Sequence, residues 1–300
     1  MTGDIATAAR VVKSRGTKRV DFMIACVCFI LIIICLTPLV NILARSLSSP
    51  QALINRRVFL LPVEFTFDSY RFVFKDASFS RSLTWTAFLT VVCTALSMTM
   101  TLLCAFPLTY ENLKGRKVIN TAIILTMYFS AGTIPNYILM KDLDLINKPL
   151  VLIIPNCLSV FNMIVLRSFF YSIPDSLRES AELDGANPFV ILVRIFIPLS
   201  TSVLATLALF YAVGRWNGFS DALMYMTTPR YAPIQLKLYQ IINNLSAIET
   251  AQNEGIAAAP MASEGLKAAS VMFATLPILF VYPWLQKYFI KGVTIGAVKG

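Results

Sequence analysis

The chain has 300 residues, of which 57% are hydrophobic and only 14% charged, with a mean hydropathy of +0.69. A soluble domain of this length needs far more charge to cover its surface, so the composition points to a polytopic membrane protein. Histidine is absent, which removes the commonest general base, the usual catalytic triads and most zinc or iron sites.

Charge-free runs are taken in chain order against a bilayer core of roughly 30 Å, which needs about 20 apolar helical residues. Six spans are predicted, at 22–44, 82–110, 118–140, 149–166, 195–214 and 268–286. Residues 1–21 form an N-terminal tail, 45–81 an outer loop, 82–286 a five-helix core and 287–300 a C-terminal tail. The first run follows Arg10, Lys13, Arg15, Lys18 and Arg19. It is too long for a signal-peptide core and no small-residue cleavage site follows it, so it reads as a retained anchor.

Lys114, Arg116 and Lys117 join the second and third spans, and Lys287, Lys291 and Lys299 lie in the tail. With six spans these segments share a side with the N-terminus, and the positive-inside rule makes that side cytoplasmic. The opposite side carries Arg45, Arg56, Arg57 and Arg71, diluted by Glu64, Asp68 and Asp76. Excess positive charge in such a chain speaks of topology and anionic lipid, not nucleic acid. All six cysteines, at 26, 28, 35, 93, 104 and 157, fall in apolar runs and read as small buried hydrophobes, with no disulfide or metal site implied. Each span holds a proline: Pro38, Pro107, Pro135, Pro155, Pro198, then Pro277 and Pro283. Bent helices suit a bundle that opens a cavity; proline is also simply common in membrane helices.

The loop 167–194 joins the fourth and fifth spans on the cytoplasmic side and carries Asp175, Glu179, Glu182 and Asp184. Ser176 and Glu179 have capping-box spacing, and Gly185 is placed to end that helix. Asn187 and Pro188 then start a second helix toward Pro198.

The stretch Glu179-Ser180-Ala181-Glu182-Leu183-Asp184-Gly185-Ala186, followed by Ile195-Phe196-Ile197-Pro198, resembles the EAA loop of ABC importer permeases, with Ser180 and Ile197 as its two departures. The resemblance implies an all-α, six-helix type I ABC importer permease (MetI-like) fold. It also implies that Glu179, Ser180, Ala181, Asp184, Gly185 and Ala186 form a coupling helix docked on a partner ATPase; an ordinary capped surface helix is the alternative. Trp216-Asn217, Leu276-Pro277, the run from Tyr282 to Phe289, and Lys291-Gly292 with Gly296 to Gly300 resemble maltose-type carbohydrate permeases, closest to the branch serving complex oligosaccharides. That likeness implies a second homologous permease, two cytoplasmic ATP-binding subunits and an extracytoplasmic sugar-binding lipoprotein. It implies no cofactor on this chain, with ATP and Mg on the partner, and a plasma-membrane location with both termini inside.

The outer loop 215–267 is the longest segment outside the spans, and the resemblance suggests that it touches the binding protein, with 255–263 reaching toward the solute. Tyr128, Asn136, Tyr137, Asn156 and Asn162 are uncharged polar groups within spans. They suit a sugar path, since sugars are held by amides and aromatic faces; interhelical hydrogen bonding is the other use of such groups. No carboxylate or lysine lies deep in a predicted span and no inverted repeat is visible, against a secondary transporter. An importer of a non-sugar solute stays open. No G-x-x-x-x-G-K-[ST] occurs, so the chain is a transport subunit whose ATP is hydrolysed elsewhere.

Overall fold

The apolar run expected at 22–44 folds as the middle of one unbroken helix, α1 (Arg15–Ser46). The computed structural model describes residues 15–253 and 264–280, and these contain helices and turns without a strand. They divide into two units, one of residues up to 71 with 264–272, the other of 72–253 with 273–280.

In the first unit the apolar stretch of α1 is left unburied by the described residues. Cys26, Cys28 and Cys35 are therefore exposed, not buried as the sequence suggested, while Cys93 is buried and Cys104 and Cys157 are half-buried. A helix apolar on all sides loses nothing by such exposure when lipid is the solvent. Ser49 caps α2 (Pro50–Ile54), its Oγ accepting from Ala52 N at 3.1 Å, with Pro50 at the first helical position. Ala44, Ala52, Leu53 and Val58 make the small core of this unit.

The second unit is built on α4 (Ala77–Ala105), which follows α3 (Asp68–Lys75) and is capped by Asp76 through Ser78 N at 2.8 Å. Ser82, Thr86, Cys93, Ser97, Thr101 and Ala105 are buried along it. Small side chains let neighbouring backbones approach closely. The hydroxyls of Thr86 and Thr101 satisfy themselves on the carbonyls of Ser82 and Ser97, each at 2.7 Å.

The expected third span, 118–140, is broken. It is two helices, α5 (Arg116–Tyr128) and α6 (Thr133–Asp142), meeting at 114°. Gly132 adopts φ +89°, and Pro135 lies in the first turn of α6. A proline there cannot continue a helix from upstream but can open a new one. The expected fourth span is broken as well. Residues 149–152 form a 3-10 turn, Pro155 lies in irregular chain, and α7 (Val160–Phe170) starts only where Ser159 accepts from Asn162 N at 3.3 Å.

After α8 (Asp175–Leu183) and α9 (Pro188–Ile191), a π turn over Leu192–Phe196 leads into α10 (Ile197–Leu199) and α11 (Thr201–Trp216). The stretch 188–199 meets α11 at 87°. Pro198 lacks the N–H that an α-helical ladder needs, and the ladder slips by one residue just before it, Ile197 N reaching Leu192 O. Then come α12 (Ser220–Tyr225), α13 (Ile234–Asn253) and α14 (264–280). Phe273 of α14 is met edge-on by Phe74 and Phe79, at 5.3 and 5.8 Å. The sixth expected span is described only to residue 280; 281–300, with the Tyr282–Gly300 motifs, and 254–263 lie outside the described residues.

Among the described residues, two helices are long and apolar enough to cross a membrane unbroken, and the bent pairs raise that to four. α4 packs chiefly against α11 and α7. One core cluster gathers Phe106, Met163, Leu166, Phe170, Ile191, Phe196 and Leu207; the other gathers Leu89, Val151, Leu152, Tyr225 and Leu236.

Candidate functional site

The loop between α7 and α9 is shaped by its own residues. Leu183 is the last helical residue of α8, and Gly185 follows with φ +79°. Gly185 N donates to Glu182 O at 3.0 Å and Ala186 N to Ala181 O at 2.9 Å. This is a Schellman stop, whose left-handed residue only glycine adopts without strain. A Cβ at Gly185 would meet nothing within 4 Å, so backbone angle, not space, requires the glycine. Asn187 Oδ1 then accepts from Val190 N at 2.9 Å and Pro188 opens α9, as its sequence predicts.

The capping box does not form. α8 begins at Asp175 with Pro174 as its N-cap and without a side-chain cap, which places Ser176 inside the first turn. Leu177 N is taken by Pro174 O at 3.2 Å, and Asp175 supplies the negative charge that suits a helix N-terminus.

The expected coupling residues divide by face. Glu179, Ser180, Asp184 and Gly185 are exposed, with Glu182. Ala181 and Ala186 are half-buried and pack on the core cluster of the bundle itself. Sequence reasoning missed the apolar part of the outward face, Leu183 at 89% exposure and Phe189 at 66%. Their only signal is a large apolar residue beside charged neighbours in a loop.

Beneath this loop three aromatic rings meet edge to face: Phe106, at the end of α4, Phe170 of α7 and Phe196 of the π turn. The centroids lie 5.0 Å (Phe106–Phe196), 5.2 Å (Phe170–Phe196) and 6.3 Å (Phe106–Phe170) apart. Such pairs contribute about 0.5–1.5 kcal/mol each beyond their area. Tyr171 Oη adds a hydrogen bond to Leu108 O at 3.0 Å, and Arg167 donates to Asn120 of α5. A push on α8 therefore meets a packed contact with α4, α7 and the entry to α11.

A second feature lies in the same unit: an open cavity of about 880 Å³ between α4, α11 and the chain around 155–162 and 217–221. Of the five polar residues proposed for a sugar path, Asn156 and Asn162 line it. Tyr128 and Asn136 are exposed elsewhere, and Tyr137 stacks on Tyr225 at 6.1 Å, so the five do not come together.

The cavity also shows what the sequence reading missed. Arg215 and Asp221, both assigned to the outer loop, form a buried ion pair with side-chain exposures of 6% and 18%. Arg215 Nη1 lies 2.5 Å from Asp221 Oδ2 and Nη2 3.1 Å from Oδ1, a two-pronged geometry; Nη1 also reaches Leu152 O at 3.1 Å. Asn156 Nδ2 donates to Asp221 Oδ2 at 3.3 Å. Both charged groups are buried although they lie outside the predicted spans, so a span-by-span reading could not place them. They neutralise one another, as buried charges must. A Cβ at Gly218 would lie 2.7 Å from Arg215 Cζ, so the guanidinium rests against a bare backbone there. Tyr211 joins the walls, its Oη sharing a hydrogen bond with Thr101 Oγ1 at 2.7 Å and accepting from Ser159 N at 3.1 Å.

Among the described residues no group of three or more acidic or cysteine side chains is placed to hold a metal ion.

The family model described as the binding-protein-dependent transport system inner membrane component matches residues 77–295. The polygalacturonan/rhamnogalacturonan transport system permease protein YtcP of Bacillus subtilis is 37% identical over 89% of this chain and 94% of its own length. Protein LplC of the same organism is 41% identical over 89% of this chain and 90% of its own. Among solved structures, a bacterial ABC transporter that imports the acidic polysaccharide alginate contains a chain of TM-score 0.84 and 32% identity, covering 92% of this chain and 98% of that one. The match runs from the first residue of α4 through the loop and the cavity just described. The chain therefore belongs to the inner membrane component family of binding-protein-dependent transport systems.

Proposed function

We propose that the chain is one permease subunit of an ATP-driven importer of an oligosaccharide, pairing with a second homologous permease to enclose the path. The carrying observation is α8, a short helix locked by the Gly185 stop, with Ala181 and Ala186 on the bundle and Glu179, Leu183, Asp184 and Phe189 facing out. An acidic rim around an apolar anchor is the composition of a docking surface for a basic groove. In this reading two ATP-binding subunits hold ATP and Mg²⁺ and dock there, while this chain binds no cofactor. The sugar assignment is supported by relatives named for polygalacturonan/rhamnogalacturonan and arabinooligosaccharide transport.

The topology that fits this assignment is six spans with both termini cytoplasmic in the plasma membrane, the two bent pairs and the broken 149–166 segment each counting as one span. An extracytoplasmic sugar-binding lipoprotein delivers the solute to the face that carries the 880 Å³ cavity. There Asn156, Asn162 and Asn217 present amides of the kind that hold hydroxyl-rich ligands. When ATP draws the partner subunits together, α8 moves with them, and the aromatic trio carries the motion to α4, α7 and α11. The bundle then turns its cavity outward; phosphate release reverses the motion.

The test is disulfide cross-linking in the purified assembly. A cysteine at Glu179 should link to a cysteine in the groove of the ATP-binding subunit, and the yield should change when ATP binds. A link to the binding protein instead would overturn the assignment.

A further inference from the structure

α8 carries four carboxylates in its neighbourhood and a single cation, Arg178. A lone arginine on a short, solvent-facing acidic helix would ordinarily extend into water. Arg178 does not: its side chain is only 14% exposed. Its guanidinium lies over the ring of Tyr110, Cζ 5.0 Å from the centroid, while Nη2 holds Asp175 Oδ1 at 2.6 Å. This is the geometry of a cation–π contact, strengthened as water is excluded. Tyr110 follows α4 by a few residues, and Phe106 meets its ring edge-on at 5.4 Å. Phe106 is itself one of the three rings beneath the loop. Tyr110 Oη is buried and makes no hydrogen bond among the described residues, so the position uses the aromatic face and not the hydroxyl.

We propose that Arg178 on Tyr110 is the latch that fixes α8 to the end of α4. Both are positioning residues: they touch neither nucleotide nor solute. The Gly185 stop sets how α8 ends, but the chain on either side of α8 is a turn, and turns bend. Ala181 and Ala186 offer only small contacts with the bundle. The guanidinium reaches from α8 across to the ring of Tyr110, and Asp175 holds it from the same helix. With the latch closed, a displacement of α8 is delivered to α4; with it open, the loop absorbs part of the stroke. The proposal rests on reading α8 as the docking helix.

The experiment uses the complete importer in proteoliposomes with its ATP-binding subunits and binding protein, measuring solute moved per ATP hydrolysed. Tyr110→Leu and Arg178→Gln should each lower that ratio about fivefold or more, as expected for losing one desolvated cation–π contact. Tyr110→Phe, which keeps the ring, should retain the parental ratio, and Arg178→Lys should restore part of what Arg178→Gln loses. The double variant Tyr110→Leu/Arg178→Gln should be no worse than either single one. Unchanged stoichiometry in Arg178→Gln, or equal losses in Tyr110→Phe and Tyr110→Leu, would overturn the latch. Should Tyr110→Leu fail to assemble, Arg178→Gln decides alone. Cross-linking from Glu179→Cys to the ATP-binding subunit, run in parallel, separates the two failures. A link with unchanged stoichiometry refutes only the latch, whereas no link in the parent refutes the docking helix.

Discussion

Asp221→Ala removes the carboxylate that takes both terminal nitrogens of Arg215 and leaves a buried guanidinium with Leu152 O as its remaining hydrogen-bond partner. Two unit charges about 4 Å apart attract by about 4 kcal/mol at an effective dielectric near 20. Water entering from the open cavity recovers a part of that, because Asp221 is 18% exposed and the site is not sealed. The donor at Nη2 is orphaned as well, at a cost of about 1–3 kcal/mol where no water replaces the acceptor. Together these place Asp221→Ala at about 3 kcal/mol of destabilisation, within the range of about 3–5 kcal/mol for breaking a buried pair from one side. Thermal unfolding of the detergent-purified subunit, in a background whose other five cysteines are replaced and followed by a thiol-reactive dye on buried Cys93, reads the loss as a lowered Tm. The same reasoning requires that Arg215→Met/Asp221→Leu, which removes both charges, lose less than Asp221→Ala alone. A single variant within about 0.5 kcal/mol of the parent, the size of an ordinary surface change, would show that the pair is solvated and the calculation wrong.

Phe196→Ala opens the aromatic trio and should cost about 3–5 kcal/mol, as large-to-small core changes do, and should depress solute uptake more than ATP hydrolysis. Gly185→Val forces a β-branched residue to φ +79° and should cost about 1–2 kcal/mol of local helix-stop stability. The stop then shifts and α8 misseats, so uptake should fall while membrane insertion, read by protease protection, stays normal. At Asp76, burial raises the carboxyl pKa, but hydrogen bonds from Ser78 and the charge of Lys237 outweigh it and hold the group below its ordinary value. A depressed carboxylate stabilises the fold above the unfolded-chain pKa and loses that contribution as pH falls through the folded one. Asp76→Ala should accordingly cost about 0.5–1 kcal/mol near pH 7 as a lost helix cap, and the gap to the parent should close in acid unfolding curves.

What the residues announced locally, the structure repeats. Gly185 after an acidic helix and Asn187-Pro188 before an apolar one each act through their own backbone angles and hydrogen bonds, and both were legible from type and spacing. Ser176 and Glu179 had the spacing of a capping box, yet Pro174 and Asp175 began the helix two residues earlier. Two N-cap solutions competed within three positions, and a spacing rule does not rank them. Hydropathy located the apolar stretches but averaged over the breaks inside them. Pro135 and Pro198 marked where helices would bend, whereas the angles of 114° and 87° depend on what the freed segments pack against. Arg215 and Asp221 were hidden for a different reason. They are six residues apart across the end of α11, and only the turn through Gly218 brings them face to face. Asn156 and Asn162 met in one cavity because irregular chain joins them, while Tyr128 and Tyr137 were separated by the break in the third stretch. The cysteines of α1 followed the rule for soluble proteins and were misread, since the apolar stretch that carries them is not covered by the described residues and keeps its side chains outside.

The most direct test is the sidedness of Glu179. In a background without the six native cysteines, Glu179→Cys should react with a membrane-impermeant maleimide in inside-out vesicles and stay unlabelled in right-side-out ones, with labelling suppressed when the ATP-binding subunits are present. Reaction from the outer face of intact cells would contradict the proposal that α8 takes up work from nucleotide hydrolysis beneath the membrane.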